Sequence, residues 1–276
     1  MESSENRKYI QMYFDPEVTR HFAQQEQNEK NFTVASIVDA TIMQEISDIS
    51  DPLYAAELGG GAHPDRYHNF FERLLKEPQG KIDWVDISPY MLDLAKEYIS
   101  DEKYIERNEV INFVESEILE YLKKLDNDTL DLAIMKYTID HIEDLDELFK
   151  LLSLKLKKGG KLVSSIGTSS PILKSISTNA RFFYKGEEFP ENETRTLEEG
   201  ETFTIKTFKV SGDPSSGYIE GSETTKYFHS GEKIKRLAKK NNFEAFLGNW
   251  KEFVKEENQK SIEKDQEILV LTKKGN

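Results

Sequence analysis

Between Leu53 and Ile166 short apolar runs alternate with stretches of helical periodicity, and few folds accept that rhythm. The runs at 53–58, 81–86, 110–114, 130–136 and 161–166 have the length and composition of strands. Between them, Met91, Leu94, Ala95, Tyr98 and Ile99 recur at three-to-four spacing, as do Leu145, Leu148, Phe149, Leu152 and Leu156. Ser88-Pro89 gives the first of these helices an N-cap and a proline at its first position. Gly159-Gly160 stands where the second would be closed at its C-terminus. Strand-helix-strand alternation with short loops predicts an α/β fold: a mostly parallel sheet with helices on both faces.

The flanks read differently. Residues 1–16 are polar, with Tyr9, Tyr13 and Phe14 interspersed. The stripe Val34, Ile37, Val38, Thr41, Ile42 and Ile46 predicts an amphipathic helix, which Asp51-Pro52 breaks. After Ile166 the rhythm is lost. Residues 168–229 carry turn residues (Ser169, Ser170, Pro171; Gly212, Asp213, Pro214) and two β-rich runs, 202–210 and 217–228, with Gly212–Gly217 predicted as a hairpin turn. Helical periodicity returns at Ile234, Leu237 and Ala238, and Glu267–Thr272 reads as a final strand. The chain thus divides into an N-terminal helical cap (1–50), a core (51–167), a β-rich insertion (168–229) and a C-terminal part that completes the core sheet (230–276).

Composition narrows the function classes. A net charge of −14 opposes a polyanionic partner. The densest basic cluster, Lys233, Lys235, Arg236, Lys239 and Lys240, reads as the wet face of a helix, so nucleic acid is not an expected partner. With no cysteine, disulfides, thiolate metal sites and cysteine nucleophiles are excluded. Of the five histidines, His21, His63, His68, His141 and His229, no pair has metal-ligand spacing on a convincing helix, and no metal is expected. Met1–Lys8 lacks an apolar signal core and no apolar run approaches the ~20 residues of a membrane span, so a soluble, cytoplasmic protein is expected.

The residues that carry chemistry fall at the ends of the predicted strands. Glu57-Leu58-Gly59-Gly60-Gly61 follows the first strand, where glycines let the backbone turn and approach a ligand without a Cβ in the way. Asp86 ends the second strand, where a carboxylate can accept the two hydroxyls of a ribose. Glu117 follows the third. The fourth runs through Met135-Lys136-Tyr137 into Thr138-Ile139-Asp140-His141-Ile142. Taken singly, each has a plain structural explanation, a glycine-rich turn or a solvated carboxylate; their occurrence together at consecutive strand ends points to a nucleotide-like ligand. A nicotinamide fingerprint G-x-G-x-x-G would need glycine where the chain has Pro64.

These segments, AAELGGG (55–61), WVDISPYMLDLAKEYI (84–99), NFVESEILEYL (112–122), LDLAIMKYTIDHIEDLDELFKLL (130–152) and LKKGGKLVSSIG (156–167), resemble the core of the class I S-adenosylmethionine-dependent methyltransferases, especially their small-molecule branch. The resemblance implies a Rossmann-like, mostly parallel seven-stranded sheet with helices on both faces, plus the β-rich insertion after the fifth strand. It implies S-adenosylmethionine as cofactor. Glu57, Gly59 and Gly61 would hold its amino-acid end and Asp86 its ribose. Ile87 and Met91 would flank the adenine, Glu117 and the Ile118 N–H would read the adenine edge, and Lys136 would lie beside the sulfonium. Tyr137 and His141 become the candidate catalytic residues, His141 as a general base if the acceptor arrives protonated. The chain departs from the pattern at His63, where a third glycine is common, and at Glu117, where aspartate is commoner. The expected activity is in-line methyl transfer to a small-molecule oxygen or nitrogen beneath a lid formed by 168–229. The alternatives are a catalytically silent binding protein and a protein or RNA methyltransferase, the latter needing a substrate groove and, for RNA, a basic stripe. The acceptor's identity and the oligomeric state are not legible.

Overall fold

The alternation between Leu53 and Ile166 builds five strands of a seven-stranded sheet in the computed structural model, which describes residues 15–28, 33–49, 52–77, 79–101, 104–167, 172–174, 180–189, 193–210, 213–252 and 267–275. In chain order the core elements are α1 (Pro16–Asn28), α2 (Thr33–Glu45), β1 (Tyr54–Leu58), α3 (His68–Lys76), β2 (Lys81–Asp86), α4 (Pro89–Ile99), β3 (Ile111–Glu115), α5 (Ile118–Lys124), β4 (Leu130–Lys136), α6 (Leu145–Lys155) and β5 (Leu156–Ile166). The insertion supplies β6 (Ile172–Lys174), β7 (Ala180–Tyr184), β8 (Glu187–Glu188), β9 (Thr194–Thr196), β10 (Thr202–Val210), β11 (Asp213–Tyr218) and β12 (Thr224–Tyr227). Then α7 (Gly231–Lys240), β13 (Phe243–Asn249) and β14 (Glu267–Lys273) complete the core.

The sheet order is β3-β2-β1-β4-β5-β14-β13. The first five strands run parallel, and β14 is antiparallel to both its neighbours. Side chains alternate across the sheet. Ala56, Ala133 and Met135 face a core shared with α5, α6 and α7, while Ala55, Leu132 and Ile134 face one shared with α2, α3 and α4. A strand covered on both faces must be apolar throughout, and β1 and β4 are buried at nearly every position. Each fully buried Leu or Ile contributes about 1.5–3 kcal/mol. Because the five strands are parallel, their carboxyl ends, Leu58, Asp86, Glu115, Lys136 and Ile166, share one edge of the sheet.

Several local expectations are corrected. Gly159-Gly160 does not close α6, which ends at Lys155 with Leu156 already extended. The glycines lie inside β5, where the register against β4 jumps from Leu130↔Leu156 to Leu132↔Lys161. Gly159 has φ +78° there, and a Cβ on Gly160 would lie 2.9 Å from the Lys157 carbonyl oxygen. The run 217–228 is two strands rather than one, because β11 and β12 pair with successive halves of β10, at Phe208↔Tyr218 and Ile205↔Thr224. β11 begins at Asp213, inside the predicted hairpin turn. α1 and β13 appear where no element was read from the pattern. The aromatic residues of the insertion largely fill its own core, with Tyr184, Phe203 and Phe228 buried together against Leu197 and Phe182. The basic cluster of α7 does face solvent, apart from half-buried Lys233. Tyr9, Tyr13 and Phe14 lie outside the described residues. No described helix is long and apolar enough to cross a membrane.

Candidate functional site

The turn after β1 is fixed by its neighbours. Gly59 and Gly60 both donate their N–H to the Val85 carbonyl, at 2.8 and 2.9 Å, which folds the chain back over β2. Gly59 and Gly61 have φ of +80° and +61°, the left-handed region that glycine enters freely. A Cβ on Gly60 would lie 2.4 Å from the Trp84 ring, and one on Gly59 would lie 2.6 Å from the Thr138 methyl group. A Cβ on Gly61 would meet nothing within 4 Å. Two of the three glycines are thus demanded by the protein itself, while the third borders open space. Trp84 Nε1–H donates to the Gly61 carbonyl at 2.8 Å. Asp86 holds the same residue from the other side: its Oδ2 accepts the Gly61 N–H at 2.9 Å and its Oδ1 accepts the Ser88 N–H at 2.8 Å. A carboxylate oxygen has more than one lone-pair site, so Asp86 keeps capacity for further donors.

Glu57, the last residue but one of β1, is fully buried. Tyr67 donates its hydroxyl to Oε1 at 3.2 Å, and Oε2 has no hydrogen-bond partner among the described residues. An unmet buried acceptor costs about 1–3 kcal/mol. Burial pushes the Glu57 carboxyl up to about 8, with the charge of Lys136 pulling the other way.

His63, at the departure from the glycine pattern, is buried and stacks on Tyr98 with centroids 4.7 Å apart. Its Nε2 lies 3.0 Å from the Ala23 carbonyl, which can only accept, so Nε2 carries the proton and ties α1 to the loop. Met91 is buried in the same small cluster as Ala23, Ala62 and Leu94. Ile87 is half-buried, Ile118 is buried and Glu117 is exposed at the start of α5. The Ser116 N–H donates to the Asp86 carbonyl, which draws the β2 and β3 ends together.

Beyond β4, Tyr137 adopts φ +58°, rare for a bulky residue, and its N–H donates to Ser165 Oγ at 2.9 Å. The segment that follows is seamed to the insertion. His141 Nδ1 lies 3.2 Å from the Thr225 carbonyl, so Nδ1 carries the hydrogen and Nε2 keeps a lone pair. Burial, and then the charge of Lys226, push this imidazole down to about 3. Asp140 Oδ2 accepts the Gly167 N–H at 3.0 Å and lies 3.6 Å from Lys226 Nζ. A Cβ on Gly167 would come within 2.4 Å of that oxygen. His229 Nε2 sits 2.7 Å from the Ile142 carbonyl, and Tyr227 donates its hydroxyl to Glu143 at 3.4 Å.

The structure therefore gathers Glu57, Gly59, Gly61, Asp86, Lys136 and Tyr137 at one sheet edge, with Ile87, Met91 and Ile118 at the starts of the adjoining helices. It turns His141 toward the insertion. Sequence reasoning did not single out Tyr67, Ser165, Asp140 or Lys226. Only Asp140 carried a local signal, as an acidic residue beside His141, three positions after the strand-end tyrosine. Among the described residues no three histidines, aspartates or glutamates converge as a metal-ligand set.

Residues 61–164 match the family described as "Methyltransferase domain". Malonyl-[acyl-carrier protein] O-methyltransferase 1 of Ilyobacter polytropus is 28% identical over 163 residues, covering 58% of this chain and 56% of its own length. A protein of Sulfolobus acidocaldarius, named as a cobalt-precorrin-6B C(15)-methyltransferase (decarboxylating), is 30% identical over 114 residues, 41% of this chain and 55% of its own length. The chain thus spans about half the length of the curated relatives it matches. A solved S-adenosylmethionine-dependent methyltransferase of Clostridium acetobutylicum superposes with a TM-score of 0.59 at 15% identity, over 93% of this chain and 99% of that one; the likeness is one of fold.

Proposed function

The chain belongs to the class I S-adenosylmethionine-dependent methyltransferase family, and from that premise we propose that it moves a methyl group from S-adenosylmethionine to an oxygen or nitrogen of a small molecule held beneath the insertion. The observation that carries the reading is the cradle after β1. There, a fully buried carboxylate with an unpartnered oxygen stands next to a turn whose third glycine borders open space. Such an arrangement fits the ammonium of an amino acid.

Glu57, Gly59 and Gly61 bind that amino-acid end. Asp86, its two oxygens already oriented by the Gly61 and Ser88 N–H groups, takes the ribose hydroxyls. Ile87 and the start of α4 above Met91 flank the adenine, and Glu117 with the Ile118 N–H reads its edge. Lys136 and Tyr137 lie beside the sulfonium, which when bound supplies an activated methyl group. The protein's own contribution is alignment and exclusion of water. α1, pinned through His63, closes one side, and β12, seamed to residues 140–143, closes another. His141 is neutral at physiological pH and a poor proton acceptor, so it serves as a hydrogen-bonding wall rather than a base.

Incubation with methyl-labelled S-adenosylmethionine and a small-molecule extract tests the proposal. Label should appear in the small-molecule fraction with the wild-type chain and not with Gly61→Val. Label arriving only in protein or RNA would redirect the reading to a macromolecular acceptor.

A further inference from the structure

Lys226 reaches the methyl-transfer edge from β12, where its ammonium forms a long ion pair with Asp140. Its side chain is 15% exposed. The carboxylate nearest to it, Asp140, stands 3.6 Å away at Oδ2, beyond the 2.7–3.2 Å of a hydrogen bond, and that oxygen already accepts the Gly167 N–H. The Tyr137 ring lies under the ammonium at 5.9 Å. An ammonium has three donors and no acceptor. Asp140 engages at most one of the three, at long range, which leaves donors of this half-buried ammonium for a ligand.

The same seam limits the nucleophile. His141 has spent Nδ1–H on the Thr225 carbonyl, and burial holds the ring neutral well below physiological pH. Asp140 is engaged by Gly167 and Lys226, and Glu57 belongs to the cofactor cradle. These three groups are thus each committed elsewhere. A nucleophile that arrives without a proton needs none.

We infer that Lys226 is the insertion's acceptor-binding residue and that it selects an acceptor bearing a carboxylate, one oxygen held by the ammonium and the other presented to the methyl group. The inference rests on the methyl-transfer reading of this site. The charges balance without a base: the carboxylate oxygen forms a bond to the methyl carbon as the carbon–sulfur bond breaks, the electron pair stays on sulfur, and an ester and a neutral thioether result. A dianion such as a phosphate monoester suits the site less well, because Asp140 lies within 4 Å of the Lys226 ammonium.

The test uses the full chain saturated with S-adenosylhomocysteine. Calorimetric titrations compare benzoate with benzamide and octanoate with octanamide. Each carboxylate should bind about tenfold or more tightly than its amide, as expected of a charge-assisted contact. Lys226→Met should erase the difference while S-adenosylhomocysteine affinity stays as in the wild type, and Lys226→Arg should keep it. Equal binding of acid and amide, no binding of any carboxylate, a preference that survives Lys226→Met, or phenyl phosphate binding more tightly than benzoate would each overturn the inference. If Lys226→Met does not fold, the wild-type acid-to-amide ratio and the Lys226→Gln variant decide. Failure of S-adenosylhomocysteine itself to bind counts against the methyl-transfer reading, whereas lost discrimination in the saturated protein counts against Lys226 alone.

Discussion

On the proposed reading, in which Glu57 receives the ammonium of the cofactor, protonation of Glu57 couples cofactor binding to pH. Burial lifts this carboxyl to about 8, well above the usual glutamate range. In the ligand-free protein its contribution to stability is therefore complete below the unfolded value and is lost as pH rises through about 8. A bound ammonium reverses the preference, because it favours the carboxylate, so binding must expel the proton. At pH 7 a group titrating at about 8 is roughly nine-tenths protonated, and binding should release about 0.9 proton per cofactor. Between pH 5.5 and 7 the ligand's own amino group, which titrates near 8, stays charged. Over that window, affinity for S-adenosylhomocysteine should rise by roughly thirtyfold as Glu57 ionises more readily. Calorimetry in buffers of different ionisation heat reads both quantities. Glu57→Gln, of the same shape, should bind more weakly and lose the proton release. Affinity flat across the window, with no proton exchanged, would show that Glu57 does not meet the ammonium.

Other substitutions separate the roles of neighbouring residues. Gly60→Ala drives a Cβ into the Trp84 ring and should cost about 1–3 kcal/mol in urea unfolding; a variant of native stability would mean that Trp84 can step aside. Gly61→Ala meets no atom and should cost only about 1–2 kcal/mol for its left-handed backbone, yet it should weaken S-adenosylhomocysteine by more than tenfold if the space beside it is the ligand's. Asp86→Ala should weaken the same ligand by at least about tenfold in calorimetry, and unchanged affinity in a folded variant would move the ribose elsewhere. Asp83 accepts hydrogen bonds from Tyr54 and Tyr121, both at 2.6 Å, and from Asn112 at 2.9 Å, so Asp83→Ala should lower stability by about 3 kcal/mol while cofactor affinity in the folded fraction holds.

What the sequence made legible and what it hid follow from the range of the interactions involved. Ser88-Pro89 starts α4 because a serine cap and a proline at the first helical position are local signals, and Ser88 Oγ indeed accepts the Met91 N–H. The strand ends carrying Glu57, Asp86 and Lys136 were readable because parallel strands buried on both faces leave continuous apolar runs. Gly159-Gly160 misled because the same glycine pair suits a helix end and a strand irregularity, and only the register against β4 separates the two. β13 escaped notice as an edge strand with mostly half-buried side chains and no clean alternation. α1 has few apolar residues and owes its place to long-range contacts such as His63 with Ala23. Lys226 looked like any strand lysine; its burial depends on β12 docking against residues some 85 positions earlier, which no local pattern encodes.

The central claim is that the turn after β1 holds S-adenosylmethionine, and equilibrium binding of the stable product tests it most directly. Titration of the wild-type chain with S-adenosylhomocysteine should show one saturable site per chain. At about 100 times the dissociation constant the ligand should add about 2.7 kcal/mol to the free energy of unfolding. No saturable heat up to about 1 mM, a concentration corresponding to only about 4 kcal/mol of binding, together with an unmoved unfolding transition, would contradict the assignment of the cradle.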